Sequence, residues 1–189
     1  MSTMRWTSHD LQFLPDNEKR YEIVDGELYV SKQPRWEHQQ VSGELYKLLS
    51  IWSEQTGKGE ANLAPGVIFD DDNDVVPDVV WISQERLEIA LQSDGKLHSA
   101  PDLAIEILSP GPSNEHRDRE VKPKLYSRQG VLEYWVVNWQ ERSIEIYERE
   151  RAALTLNRKL YASDVLESRL LPGFSCLLSQ LFKKVSRAH

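Results

Sequence analysis

Pro101-Asp102-Leu103-Ala104-Ile105-Glu106-Ile107-Leu108-Ser109-Pro110 is a short apolar run closed at each end by proline, with one carboxylate near its middle. Ile and Leu fall on both parities, which predicts a strand covered on two faces rather than one lying half in water. An ionised Glu106 in such a strand costs several kcal/mol in desolvation, on the order of what a cation, a metal or several donors must return. A second strand of this kind lies upstream. In Val75-Val76-Pro77-Asp78-Val79-Val80-Trp81-Ile82 another carboxylate follows a proline inside a β-branched run. If the two strands are neighbours in one sheet, Asp78 and Glu106 converge, and two hard oxygen donors suit Mg²⁺ or Mn²⁺.

The rest of the chain supplies an α/β frame for that pair. Tyr21 to Val30 gives two β-rich runs around Asp25-Gly26, a strong hairpin signal. Glu22 and Glu27 lie on its strands, each either solvated or turned toward the acids. From Pro34, Val41, Leu45, Leu48, Leu49 and Trp52 recur at helical spacing until Gly57, with His38 near the start of the helix, where it can reach a phosphate or a metal-bound water. Residues 5–20 read as a short helix or irregular arm capped by Thr7 or Ser8 and ended by Pro15-Asp16-Asn17. A strand is expected around Val67-Ile68-Phe69, and a short helix after Ser83. The acidic turn Asp70-Asp71-Asp72-Asn73-Asp74 lacks the glycine and distal glutamate of a calcium-binding loop and reads as solvated.

After the Glu106 strand, Ser113 or Asn114 should cap a helix over 115–128 carrying His116, Arg117, Arg119, Lys122, Lys124 and Arg128, with Pro123 delaying or kinking it. A lysine from this basic segment can reach back toward the carboxylates, and its arginines can grip phosphates. Gly130 ends it. Leu132 to Asn138 forms another buried strand, Ser143 to Arg149 a half-exposed one in an antiparallel meander, and 150–170 shows only weak strand signals. Pro172-Gly173 turns into a terminal helix with Leu177, Leu178, Leu181 and Phe182. The six tryptophans are scattered, as suits core and edge packing rather than a base-stacking platform.

At 189 residues the chain suits a single domain, 1–189, with its core over about 21–174. Its one cysteine, Cys176, excludes an internal disulfide and a cysteine-based zinc site. No apolar run has the roughly 18 residues of a membrane span, and Met1 to Trp6 lacks a signal-peptide core, so a soluble, cytoplasmic protein without a membrane partner is expected. A net charge of -7 argues against a general nucleic-acid coat but leaves room for a local basic groove. There is no Gly-rich phosphate loop, Gly-x-Ser-x-Gly elbow or Cys/His pair to support a small-molecule enzyme.

Taken in order, Tyr21 to Leu28, Pro77-Asp78-Val79-Val80, Pro101 to Pro110, Asp118 with Lys122 and Tyr126, and Gly130 to Trp135 resemble the Uma-two family of restriction-endonuclease-like proteins. The resemblance implies the PD-(D/E)XK nuclease fold, a mixed β-sheet core flanked by helices and here preceded by a β-hairpin, and a metal-dependent endonuclease acting on phosphodiester bonds of nucleic acid, DNA foremost. By position, Asp78 matches the acid of the PD element and Glu106 the second acid. Where the superfamily pattern has lysine two residues later, this chain has Leu108; in the resembling family the lysine sits on the following helix, a place held by Lys122 with Lys124 as the fallback. Asp78, Glu106 and the carbonyl of Ile107 are then the expected metal ligands, Lys122 the residue that orients water, and Arg117, Arg119 and Arg128 the phosphate grip. Glu27 and His38 are secondary candidates. The class allows a two-fold homodimer, and the rival expectation is a catalytically inactive nucleic-acid-binding or regulatory module on the same fold.

Overall fold

The computed structural model describes residues 5–15, 17 and 19–185. In chain order the elements are β1 (Arg20–Val24), β2 (Glu27–Ser31), α1 (Trp36–Thr56), β3 (Gly59–Leu63), β4 (Val67–Asp70), β5 (Asn73–Val75), β6 (Val79–Ser83), α2 (Gln84–Ala90), β7 (Leu103–Ile107), α3 (Pro112–His116), α4 (Lys122–Gln129), β8 (Glu133–Asn138), β9 (Ser143–Glu150), β10 (Ala153–Tyr161), β11 (Val165–Glu167) and β12 (Ser175–Leu177). Six strands form the main sheet in the order β10-β9-β8-β7-β6-β3, and four form a smaller one in the order β2-β1-β5-β4. Only β7 and β8 run parallel in the main sheet, which makes it mixed. The expected helix-flanked mixed sheet with an N-terminal hairpin is therefore the fold observed.

Alternation along the central strands sends two sets of side chains to two cores. Val79, Trp81, Leu103, Ile105 and Ile107 meet Val41, Leu45, Leu49 and Trp52 of α1. Val80, Ile82 and Ala104 face the other way, against Leu125 and Tyr126 of α4 and Val24 and Val75 of the small sheet. Both faces of β7 are thus covered, as its sequence predicted, and all five of its residues are buried. The hairpin turn also matches expectation: Asp25 and Gly26 both take positive φ (53° and 77°), the pair required by a two-residue turn that follows strand twist. Gly57 closes α1 in the left-handed conformation.

Several elements differ from their sequence reading. Asp78 does not lie within a strand. It occupies a bend between β5 and β6, and Pro77 before it separates two strands that belong to different sheets. The helix expected over 115–128 is three pieces, with a π-helical turn at Arg117–Val121 between α3 and α4, and α3 is capped by Gly111 (φ 126°) with Pro112 in its first turn, not by Ser113 or Asn114. The π turn answers Pro123. Having no N–H, Pro123 cannot serve the carbonyl of Asp118 five residues back, and the Tyr134 hydroxyl donates to that carbonyl instead at 2.7 Å.

β9 is largely buried rather than half-exposed, because arginines and a lysine from adjacent elements cap its outer carboxylates: Arg119 and Lys159 on Glu145, Arg158 and Arg169 on Glu148. The weak signals over 150–170 conceal β10, the longest strand. The terminal segment forms β12 and one 3₁₀ turn (Leu178–Gln180) in place of a helix, though Leu178, Leu181 and Phe182 are buried as their spacing suggested. The N-terminal arm holds a 3₁₀ turn at Asp10–Phe13, with Thr7 donating to the Asp10 carboxylate; the proposed stop at Asp16 lies outside the described residues. No helix among the described residues is long and apolar enough to cross a membrane.

Candidate active site

β6 and β7 pair antiparallel with Val79 opposite Ile105, so continuing that register past the end of β6 brings Asp78, in the bend before it, alongside Glu106. The Ile107 N–H donates to Asp78 Oδ2 at 2.9 Å and fixes that carboxylate across the strand end. His38, in the first turn of α1, brings Nε2 to 3.0 Å from the same oxygen, and Arg20 of β1 donates to Oδ1 at 2.9 Å. Burial alone would raise the Asp78 pKa. The His38 hydrogen bond and charge, the Arg20 guanidinium and the Ile107 N–H outweigh it and hold the acid below the ordinary carboxylate range.

Glu106 has a different environment. Its Oε1 accepts from Lys122 Nζ at 2.8 Å and from the Tyr126 hydroxyl at 3.1 Å, while among the described residues no donor bonds Oε2. Burial pushes its pKa up to about 8; Lys122 opposes the rise and the neighbouring charges of Asp78, Asp118 and Glu22 add to it. Lys122 is 0% exposed and shared, its Nζ also donating to Glu22 Oε1 at 2.8 Å. Desolvation disfavours its charge, but Glu106, Glu22 and Asp118 hold the pKa above the ordinary lysine value. Glu22 takes a further bond from the Val76 N–H, and its burial is outweighed by Lys122 and Arg117, so it is held ionised. The i, i+4 spacing of Asp118, Lys122 and Tyr126 aims all three at this pocket.

The charge count is uneven. Four buried carboxylates (Glu22, Asp78, Glu106 and Asp118) face three permanently charged groups (Arg20, Arg117 and Lys122) and the imidazole of His38. Against the permanent cations one negative charge remains for a proton within the cluster or for an added cation, and burial raises the pKa of both Glu106 and Asp118.

The structure therefore gathers Asp78, Glu106, Ile107, Lys122 and His38 at one place. Lys124 is exposed, as helical geometry requires of one of the two lysines. Glu27 is exposed and bonded by Tyr29, away from the cluster, whereas Glu22 on the facing strand is inside it. Arg117 is buried against Asp118 and Ser31; Arg119 is held by Glu115 and Glu145; Arg128 lies at the surface with Asp25. Arg20 is the participant that sequence reasoning missed. Its one signal is parity with Glu22 on β1, and nothing local says that this face of the hairpin looks inward. Among the described residues no three His, Cys, Asp or Glu side chains form a ready metal cage.

Residues 8–179 match the model of the Uma2 family, described as "Putative restriction endonuclease". The fold is similar to that of a protein from Anabaena variabilis whose crystal structure is titled a putative nuclease belonging to DUF820, with a TM-score of 0.71, 18% sequence identity, and 93% of this chain and 97% of that one covered. No curated protein gives a significant match.

Proposed function

Because the chain belongs to the Uma2 family of restriction-endonuclease-like proteins, we propose that it hydrolyses phosphodiester bonds of nucleic acid at the Asp78–Glu106 pair with a divalent cation. The observation that carries this reading is the convergence of the two acids at the adjoining ends of β6 and β7, where the Ile107 N–H donates to Asp78 and Glu106 Oε2 is left without a donor among the described residues. That donor set fits Mg²⁺ or Mn²⁺ better than a metal needing a full protein cage, since Mg²⁺ keeps several waters and binds through one or two carboxylates plus substrate phosphate. Asp78, Glu106 and the Ile107 carbonyl would hold the ion, which when bound polarises the phosphoryl oxygen and makes water a better nucleophile.

The protein's own groups have distinct tasks. Asp78, kept ionised by His38 and Arg20, supplies a fixed negative charge, and Glu106 exchanges its proton for the cation. Lys122 remains an ammonium through its contacts with Glu22 and Glu106, and so offsets the charge that builds on the phosphoryl group. Glu22 positions it, and Tyr126 fixes Glu106 by donating to the same Oε1. Arg119 and Arg128 contact flanking phosphates, while Arg117 acts from inside by fixing Asp118.

The test is a cleavage assay on single- and double-stranded DNA and RNA with Mg²⁺ or Mn²⁺, comparing wild type with Asp78→Asn and Glu106→Gln. The expected result is a metal-dependent activity that each variant lowers by about 100-fold or more, the scale of losing one electrostatic contributor. Equal rates in all three proteins overturn the assignment. The alternative, an inactive module on the same fold, draws on the lock that two acids place on Lys122. Calorimetric titration separates it, because an inactive site takes up no Mg²⁺ or Mn²⁺ in a manner dependent on Asp78 and Glu106.

A further inference from the structure

The segment between β2 and α1, Lys32-Gln33-Pro34-Arg35-Trp36, is tied to the charge cluster at both ends. Ser31 before it accepts from Arg117 at 2.8 Å, and His38 after it reaches Asp78 at 3.0 Å. Arg35 lies 5.7 Å from the ring centroid of Trp139, whose indole N–H donates to the carbonyl of Leu108, the residue that follows β7. The segment thus crosses the end of the strand that carries Glu106. Its outward side chains are Lys32, Gln33, Arg35 and Trp36. Lys32 and Gln33 line a cavity of about 490 Å³ with Asn17 and Lys19, the residue that precedes Arg20 on the chain.

Trp36 is the exception to the packing role of the tryptophans. It is 70% exposed, while the other five are buried or half-buried. A large indole stands exposed in the first turn of a 21-residue helix without gaining a core, between Arg35 and Glu37, which pair at 3.4 Å.

Resting on the nuclease reading, we infer that this segment is a binding track for single-stranded nucleic acid. Lys19, Lys32 and Arg35, the last exchanging its pair with Glu37, follow the phosphates, and Trp36 stacks on one unpaired base flanking the site. Cations that follow a backbone and an aromatic face that takes any base are the two parts of a single-strand site. A duplex cannot use the second part, because its base faces are already stacked on one another. The recess of the acids has the same consequence: Asp78 and Glu106 are 5% and 2% exposed, so the phosphate must come to them on a strand free to bend.

The experiment is fluorescence anisotropy in EDTA with a labelled deoxyoligonucleotide, alone and annealed to its complement, against wild type, Trp36→Ala, Lys32→Glu and Lys124→Glu. The single strand should bind at least about 10-fold tighter than the duplex. Trp36→Ala should weaken single-strand binding by about 5- to 50-fold, within the range of one base–aromatic stack. Lys32→Glu should lower the salt slope by about 0.7, one phosphate contact on a single strand, and Lys124→Glu should leave it unchanged.

Tighter binding of the duplex, or single-strand binding unaffected by Trp36→Ala, overturns the track while the nuclease reading stands. Absence of binding to either form, with no cleavage of either in Mg²⁺, overturns both. If Trp36→Ala instead dissolves a dimer seen by sedimentation and leaves oligonucleotide binding intact, the indole contacts a second copy of this chain and the track is refuted.

Discussion

Replacing Lys122 by Met keeps the stem and the volume and removes only the ammonium. Two carboxyl groups, Glu22 and Glu106, lose a donor at 2.8 Å each, at a position with no access to water. Glu106, with its pKa near 8, is already largely protonated at pH 7 and loses little. Glu22 is ionised in the wild type and must either remain as a buried charge with Arg117 at 3.8 Å and the Val76 N–H at 2.9 Å or take up a proton. Protonation caps the cost. From its ordinary value of 4.5, neutralising it costs at most about 3.4 kcal/mol at pH 7 and about 0.7 kcal/mol at pH 5, at about 1.36 kcal/mol per unit.

The sign follows from linkage. In the wild type the lowered pKa of Glu22 contributes stability that is present above 4.5 and lost as pH falls through the folded value, whereas in the variant the same group destabilises increasingly as pH rises above 4.5. Urea denaturation of wild type and Lys122→Met at pH 5 and pH 7 should therefore give a gap of about 2–3 kcal/mol at pH 7 that shrinks by more than half at pH 5. Lys124→Met, on the exposed face, should cost no more than about 0.5 kcal/mol at either pH. A Lys122→Met gap that matches Lys124→Met, or that is as wide at pH 5 as at pH 7, refutes the buried charge cluster.

Glu106→Gln should stabilise the metal-free protein at pH 8, because an acid whose pKa rises from 4.5 to about 8 on folding costs stability between those values; the melting temperatures should converge below pH 4.5, and Mg²⁺ should raise that of the wild type alone. His38→Ala frees Asp78 Oδ2 from its imidazole and should weaken Mn²⁺ binding by about 10-fold in calorimetry, within the range for residues that orient metal ligands. Gly59→Ala puts a methyl 2.2 Å from the backbone carbonyl of Ile82 and should lower stability by about 1–3 kcal/mol in chemical denaturation, whereas Gly43→Ala, inside α1 with no atom within 4 Å, should raise it by about 0.5–1 kcal/mol.

Local pattern and chemistry settled much of this protein in advance. The two-sided apolar run around Glu106, the Asp25-Gly26 turn and the spacing of Val41 to Trp52 each report how one segment buries itself. Segments of that kind keep their conformation in the fold. The out-of-place carboxylates at 78 and 106 were legible for the same reason, since the cost of burying a charge is visible wherever an acid interrupts an apolar run. Helical periodicity required that only one of Lys122 and Lys124 face inward, and the family resemblance, not periodicity, pointed to Lys122, which is the buried one.

What depended on distant chain was not legible. Arg20, 58 residues from Asp78, and Glu22, 100 residues from Lys122, enter the cluster because β1 pairs with β5 and turns one face of the hairpin inward, a register that no residue of the hairpin announces. The π turn exists because Tyr134, on a strand beyond the helix, supplies the hydroxyl that Pro123 cannot replace with an N–H. The balance of buried charge belongs to no single residue. It arises where four elements bury their polar ends together, and only the tertiary arrangement brings them there.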